Sequence, residues 1–361
     1  MKLALRLARR GFGRTSPNPM VGAVLVKNGR ILGRGWHRRA GGPHAEIAAL
    51  RDAAKRGHSA QGATLYVTLE PCSTHGRTPP CTGAVIAAGI KAVVAGATDP
   101  NPKHAGRAFR ILRRAGLAVT RGVLAGECAQ LNPSFNHWIA RGTPWVTVKA
   151  AMTLDGKIAT VTGQSKWITG PAARVFGMKL RAASDAILVG VNTIIADDPG
   201  LTLRLPGFSG KTLRRLVLDP GARTPLTARV VRDENARLTT IVATKAAPAR
   251  RLAALRRHVR VLVAPSRQGR INLSWLAKTL GGEGVTSLLV EGGGETNAAW
   301  LPLAHQVAFF YAPIVVGGKN APKAVAGEGV PGQAGKIALR EIQWRRLGPD
   351  LLLTARVGTA G

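Results

Sequence analysis

The chain has 361 residues, 52 of them Lys or Arg against 18 Asp or Glu, which leaves a formal net charge of +34. This length accommodates two ordinary domains, the 45% hydrophobic content can fill their cores, and no apolar run approaches a membrane span. Three cysteines are too few for a disulfide framework and the N-terminal residues lack the apolar centre of a secretory signal, so reduced thiols and a cytoplasmic location are expected.

Leu3 to Arg10 reads as a short helix stopped by Gly11 and Gly13. Val21 to Val26 and Ile31 to Trp36 read as strands joined at Asn28-Gly29, a hairpin turn signal. After the break at Gly41-Gly42-Pro43, Ala45 to Lys55 has helical spacing in Ile47, Leu50 and Ala54. Ala63 to Leu69 reads as a strand, and Cys81 to Ala88 as a helix opening behind Pro79-Pro80. Lys91 to Ala95, Arg107 to Ala115 and Leu117 to Thr120 continue as strand, helix and strand. The run from Ala140 to Pro144 reads as a boundary, after which the alternation restarts. Trp145 to Ala151 is a strand, and Gly170-Pro171 starts a helix reaching Arg181. Apolar strands follow at Asp185 to Val189, Arg215 to Leu218, Thr240 to Ala243, Val259 to Val263 and Ser287 to Val290. The last of these runs into Glu291-Gly292-Gly293-Gly294-Glu295 and a helix from Thr296, and Leu339 to Arg356 reads as two strands. Two α/β domains in series are expected, each a sheet covered by helices.

His44, Cys72 and Cys81 offer one imidazole and two thiolates, three good zinc ligands, and a catalytic zinc keeps its fourth tetrahedral position for water. Glu46, two residues past the histidine, is a carboxylate placed to move that water's proton. His-x-Glu followed by Pro-Cys and a second Cys is the pattern of zinc-dependent base deaminases, in which the glutamate is acid and base and not a ligand. A structural zinc would want four protein ligands, and the pattern offers three and leaves Glu46 unexplained. His44 precedes one helix and Cys81 opens another, where unpaired N–H groups and the positive dipole end favour thiolate over thiol. Cys128 has no partner in the pattern and reads as a bystander. A charge of +34 attracts phosphate of any kind, which suits a nucleic acid or a small anionic substrate. The arginines are scattered with few aromatics between them and form no basic tail, so no dedicated nucleic-acid partner is expected.

Longer motifs narrow the reading. Thr15 to Gly22, Pro43 to Glu46, Leu69 to Cys81 and Asp99 to Pro102 stand in the first half. Met152 to Gly156, Ser165 to Thr169, Ala196 to Arg204 and Glu291 to Gly294 stand in the second. In these stretches the chain resembles the bifunctional riboflavin-biosynthesis deaminase/reductase family. The eight residues between Cys72 and Cys81, where nucleic-acid base deaminases have two, separate it from a nucleic-acid-editing zinc deaminase. Family members usually carry several more residues before the first helix, so a shortened or misassigned start is expected here. Thr74 stands where a histidine is common.

The resemblance implies a cytidine-deaminase-like zinc domain over residues 1–142 and a dihydrofolate-reductase-like α/β domain over residues 143–361 that uses NADPH. It implies two successive reactions on a phosphoribosyl pyrimidine: hydrolytic deamination of 2,5-diamino-6-(5-phosphoribosylamino)pyrimidin-4(3H)-one, then reduction of the ribosyl group of 5-amino-6-(5-phosphoribosylamino)uracil to ribityl. By the same resemblance Ala151, Trp167, Thr193, Asp197 and the run Gly293, Gly294, Glu295, Thr296 and Asn297 contact NADPH. Ser165, Arg181, Leu201, Arg204 and Glu291 hold the substrate, and the family's habit of association makes a homo-oligomer the expected state. Arg181 and Arg204 suit bidentate contact with a phosphate. The second half has no G-x-G-x-x-G fingerprint, and the glycine run at the carboxyl end of a strand suits backbone N–H contacts to phosphate. Asn18, in a Pro-Asn-Pro turn, is either a turn residue or a hydrogen-bond partner of the substrate. Arg77 is either a solvated loop residue or a contact of the ribose phosphate, and Asp155 either a turn residue or a substrate contact.

Overall fold

The computed structural model describes residues 1–74, 79–102, 104–208 and 211–358, and Arg77 lies outside them. The chain divides into two compact units, Met1–Gly142 and Thr143–Gly361.

The first unit runs α1 (Lys2–Ala8), β1 (Gly22–Lys27), β2 (Arg30–Trp36), α2 (Ala45–Lys55), β3 (Thr64–Leu69), α3 (Cys81–Ala87), β4 (Ala92–Ala97), α4 (Arg107–Arg114), β5 (Ala118–Arg121), α5 (Ala125–Gln130) and α6 (Pro133–Arg141). Its sheet has the order β2-β1-β3-β4-β5, antiparallel at β2-β1 and β1-β3 and parallel from β3 onward. The hairpin follows from local chemistry, because Asn28 and Gly29 both take positive φ, 49° and 74°, as a tight turn requires. Helix α2 lies very close to β2. Its inner face is Ala45, Ala49 and Ala53, all fully buried, and the strand offers Gly33 and Gly35. A Cβ on Gly35 would stand 2.3 Å from the Ala45 carbonyl oxygen, so a larger residue there would push the helix away. That contact fixes the start of α2, and with it His44 and Glu46, against the sheet. Leu25, Leu65, Val67, Val85, Val93 and Phe109 fill the core beneath. Two helices, α5 and α6, occupy the stretch before the boundary that the sequence reading leaves unassigned. Cys128, on α5, is buried beside Leu5, Ala8 and Leu131, away from the metal-type cluster.

The second unit begins with β6 (Trp145–Thr153), α7 (Pro171–Ala183), β7 (Ala186–Gly190), α8 (Val191–Asp197), β8 (Arg214–Leu218), α9 (Arg229–Arg232) and β9 (Thr239–Thr244). It continues with α10 (Ala249–Arg256), β10 (Arg260–Ala264), the two-residue strands β11 (Ser266–Arg267) and β12 (Arg270–Ile271), α11 (Leu273–Gly282), β13 (Ser287–Val290), α12 (Gly294–Trp300), β14 (Gln306–Ala312), β15 (Leu339–Leu347) and β16 (Asp350–Val357). The main sheet has the order β10-β9-β8-β7-β13-β6-β14-β16-β15, parallel from β10 to β14 and antiparallel at the last two pairings. Parallel sheets are covered on both faces, and β7 shows how: Ala186 and Leu188 enter one core cluster, Ile187 and Val189 the other. From β6 the chain passes to β7 and outward through β8, β9 and β10, then returns to lay β13 between β7 and β6. Such a reversal opens a crevice at the carboxyl ends of the strands, where ligands gather in open α/β sheets.

Arg215, on β8, is the largest charged group buried in this unit, at 1% exposure. Its Nη1 and Nη2 donate to Asp233 Oδ2 at 2.6 Å and Oδ1 at 2.7 Å, and Nη1 also donates to the Gly200 carbonyl at 2.9 Å. The pair therefore ties the turn before Leu201 to the sheet. Removing one partner of a buried pair costs about 3–5 kcal/mol, because it strands the other charge. Arg215→Met should accordingly lower the urea midpoint sharply. Arg270→Met should leave it unchanged, since that arginine and Glu328 stand 3.8 Å apart with side chains 80% and 92% exposed. Equal midpoints for the two variants would remove Arg215 from this role.

Candidate active sites

In the first unit the three metal-type ligands come from three places in sequence. His44 is the N-cap of α2, Cys72 follows the carboxyl end of β3, and Cys81 is the first residue of α3. Their ligand atoms all lie within 4.8 Å of one another. His44 Nδ1 stands 3.5 Å from Cys72 Sγ and 3.3 Å from Cys81 Sγ. A tetrahedral zinc with ordinary Zn–N and Zn–S bonds holds such atoms about 3.6 Å apart. The separations and the donor set therefore fit zinc, with the imidazole bound through Nδ1. Glu46 is 3% exposed in the first turn of α2. Burial pushes its carboxyl up to about 7, and Cys72 adds to the effect. Cys72 is held well below the ordinary thiol range, chiefly by a hydrogen bond from the Cys81 thiol, and its sulfur also accepts the Cys81 backbone N–H at 3.1 Å. The same hydrogen bond, with burial, drives the Cys81 thiol upward, so Cys72 is the thiolate of the pair.

Asn18 is brought to this site through a residue that the sequence reading passes over. His37, 2% exposed, packs edge-on against His44 with ring centroids 5.4 Å apart. Its Nδ1 lies 3.0 Å from the Pro43 carbonyl and must donate to it, which leaves Nε2 to accept from Asn18 Nδ2 at 3.1 Å. Glu70 stands in the Leu69 to Cys81 motif without an assigned role, and the structure gives it one. Its buried carboxylate accepts the backbone N–H groups of Asp99, Gly106 and Ala108 at 2.9–3.1 Å, which ties the Asp99 turn to the strand leading to Cys72. A buried acid at the end of an apolar strand is the signal that could have found it.

In the second unit the crevice has a volume of about 620 Å³ and takes in Ser165, Thr193, Asp197, Glu291 and the stretch from Gly293 to Thr296. Close backbone approach explains Gly294, since a Cβ there would stand 2.3 Å from the Lys323 carbonyl oxygen. Arg181 and Glu291 face each other. Arg181 Nε and Nη2 donate to the two carboxylate oxygens at 2.8 and 3.0 Å, and Nη1 donates to the Thr202 carbonyl at 2.8 Å. Burial alone would raise the Glu291 carboxyl, but Arg181 and Lys149 beside it hold it down to about 2. Arg181 thus has Glu291 and the Thr202 backbone as partners, which its expected role as a phosphate clamp did not include. Arg204 is exposed, and its Nη1 donates to the Thr202 hydroxyl at 3.2 Å. Lys149 is a further residue missed from sequence, although a lone cation inside the apolar strand Trp145–Thr153 marks it.

The remaining candidates fall into two groups. Ala151 is half-buried on β6 beside Phe310, and Trp167 is 70% exposed with the Arg174 guanidinium 4.7 Å over its ring. Leu201 and Asn297 have buried side chains, at 3% and 1% exposure. Leu201 sits in the core cluster with Ile187 and Val189, and Asn297 Nδ2 donates to the Ala324 carbonyl, so a direct ligand contact from either would have to use the backbone. Asp155 resolves as a turn residue: it accepts the Thr153 hydroxyl and the backbone N–H groups of Val316 and Gly317.

A family model for the cytidine and deoxycytidylate deaminase zinc-binding region matches residues 1–97, and one for the RibD C-terminal domain matches residues 144–353. The chain belongs to the RibD family. The riboflavin biosynthesis protein RibD of Actinobacillus pleuropneumoniae is 43% identical over 358 residues, 98% of this chain and 93% of that protein. Its counterpart in Escherichia coli (strain K12) is 40% identical over 363 residues, 98% and 97% of the two chains. Among solved structures, Acinetobacter baumannii RibD in form 1 is similar with a TM-score of 0.87 at 36% identity, covering 99% of this chain and 97% of that one. The diaminohydroxyphosphoribosylaminopyrimidine deaminase/5-amino-6-(5-phosphoribosylamino)uracil reductase of Thermotoga maritima has a TM-score of 0.84 at 36% identity, with the same coverage. Among the described residues no helix is long and apolar enough to cross a membrane.

In this RibD family member the cysteine ligands can be tested apart from any activity. Cys81→Ser should reduce bound zinc, measured by atomic emission, far below one ion per chain while secondary structure by circular dichroism is retained. Zinc content equal to that of the parent protein would remove Cys81 from the site.

Proposed function

We propose that the first unit, residues 1–142, removes ammonia from 2,5-diamino-6-(5-phosphoribosylamino)pyrimidin-4(3H)-one, and that the second, residues 143–361, reduces the ribosyl group of 5-amino-6-(5-phosphoribosylamino)uracil to ribityl with NADPH. The observation that carries the reading is the pairing, in one RibD chain, of a His-Cys-Cys cluster beside a buried glutamate with a glycine-floored crevice at a strand reversal.

In the deaminase, His44, Cys72 and Cys81 would hold a zinc ion, and that ion would supply a water activated as a nucleophile near neutral pH. Glu46, whose carboxyl is raised by burial to about 7, is placed to pass one proton of the attacking water to the ring nitrogen, and the second, released as the new hydroxyl becomes the ring carbonyl, to the departing amine. Asn18, held through His37, presents its amide as a hydrogen-bond partner of the base. In the reductase, NADPH supplies hydride and the protein supplies orientation. Ser165, Thr193, Asp197 and the run from Gly293 to Thr296 border the crevice that receives the cofactor, and the family resemblance adds Ala151 and Trp167 to its contacts. Arg181 holds Glu291 ionised and fixes the Thr202 backbone, and the exposed Arg204 next to it meets the substrate phosphate.

The substrate is a small molecule, and no dedicated nucleic-acid partner is part of this reading. A homo-oligomer is supported by β15, an edge strand that exposes Ile342 and Trp344 at 52% and 58%. A reducing compartment, the cytoplasm, suits a site built on two free thiols.

Glu46→Gln should keep zinc and abolish ammonia release, a loss on the order of a hundredfold or more for a general acid–base group, while NADPH oxidation with the uracil ribotide continues. Full ammonia release would refute the acid–base role. Arg204→Ala should raise the reductase KM for the ribotide about tenfold, as one charge-assisted contact is lost. An equal loss in the deaminase step would mean misfolding instead.

A further inference from the structure

Arg223 follows β8 and borders the reductase crevice, and among the described residues it is the only basic side chain that does. Its backbone is firmly placed. Asp219, fully buried, accepts the N–H of Arg223 at 2.8 Å, and both the N–H and the hydroxyl of Thr224 at 2.7 Å. The guanidinium is aimed as well, since Nη2 donates to Asn192 Oδ1 at 2.7 Å and Asn192 borders the same crevice. The other charged groups around the crevice are carboxylates: Asp197, Glu295 and Glu291. Glu291 is already neutralised by Arg181 and Lys149. An anionic dinucleotide thus meets one cation not committed to an acid, and meets it at a particular place. β7 lies between β8 and β13, so Arg223 follows a strand two spacings, about 10 Å, along the sheet from the strand that ends at Glu291. With the reacting end of the cofactor beside the Glu291 pair, the crevice leads its other end, the adenosine, towards Arg223. NADPH and NADH differ only there, by a phosphate on the adenosine ribose.

We infer that Arg223, steadied by Asn192, binds the ribose 2′-phosphate of the cofactor and makes the reductase select NADPH over NADH. This rests on the reductase reading above. Arginine matches a terminal phosphate bidentately, where lysine offers a point charge.

Equilibrium binding to the full zinc-loaded chain tests it without turnover. The probes are NADPH, NADH, 2′,5′-ADP and 5′-ADP, followed by fluorescence and calorimetry. Arg223→Gln should weaken NADPH and 2′,5′-ADP on the order of ten- to a hundredfold, the worth of one charge-assisted contact. NADH and 5′-ADP should bind as they do to the parent protein, and Arg223→Lys should recover part of the NADPH loss. Equal weakening of all four probes would place Arg223 on the pyrophosphate and overturn the inference, as would no change in any. Parent protein that binds neither dinucleotide would overturn the reductase reading itself.

Discussion

Three ligand atoms meet within 4.8 Å in the first unit because α2 and α3 start at the same end of the sheet at which β3 finishes. That convergence depends on a steric constraint far from the metal chemistry. Ala45, Ala49 and Ala53 meet Gly33 and Gly35 backbone to backbone, and this close contact sets where the first turn of α2 lies. His44 and Glu46 are carried on that turn. Two residues apart at the helix start, one offers its imidazole to the cysteines while the other stays buried, and burial keeps the carboxyl near neutrality. A carboxylate in water would titrate far lower and would return a proton poorly at neutral pH.

The second unit solves a different problem with the same economy of position. A crevice opens where the strand order reverses, and its chemistry is set by charge pairing at the carboxyl ends of the strands. Arg181 and Lys149 keep Glu291 ionised inside the protein, and Arg181 also holds the backbone at Thr202. Arg215 and Asp233 secure Gly200 from the other side. The turn carrying Leu201, Thr202 and Arg204 is therefore held at two points by arginines, the buried Arg215 and the largely covered Arg181, while Arg204 stays exposed. In a chain with a net charge of +34, what distinguishes these arginines is burial and partner, not number.

Local signals were legible where the chemistry is local. The span of α2 is residue for residue that of its helical spacing, and Asn28-Gly29 forms the expected turn. The zinc ligands could be read because ligand type and spacing travel together in sequence. Helix α8 could not: Val191, Thr193, Ile194 and Ile195 are β-branched and follow an apolar strand directly, so the composition continues to read as strand, and tertiary packing of Val191 and Ile194 decides otherwise. Helix α11 did carry a signal, the Asn272 side chain capping Trp275 N–H at 2.9 Å, that periodicity alone overlooks. The partnerships were the least legible part. Arg181 and Glu291 lie 110 residues apart and Asn18 and His37 lie 19 apart, and neither pairing has a sequence signature. This is why the sequence names Arg181 and Glu291 singly and only the structure shows them paired.

The central claim is that two chemistries are housed in two separately built units, only one of which depends on metal. The measurement that tests it most directly follows both activities on the full chain before and after zinc is stripped with a chelator. Ammonia release from the diaminopyrimidine ribotide should disappear and return on adding zinc, while NADPH oxidation with the aminouracil ribotide proceeds unchanged throughout. Ammonia release that survives zinc removal, or reductase activity that falls with it, would contradict the account.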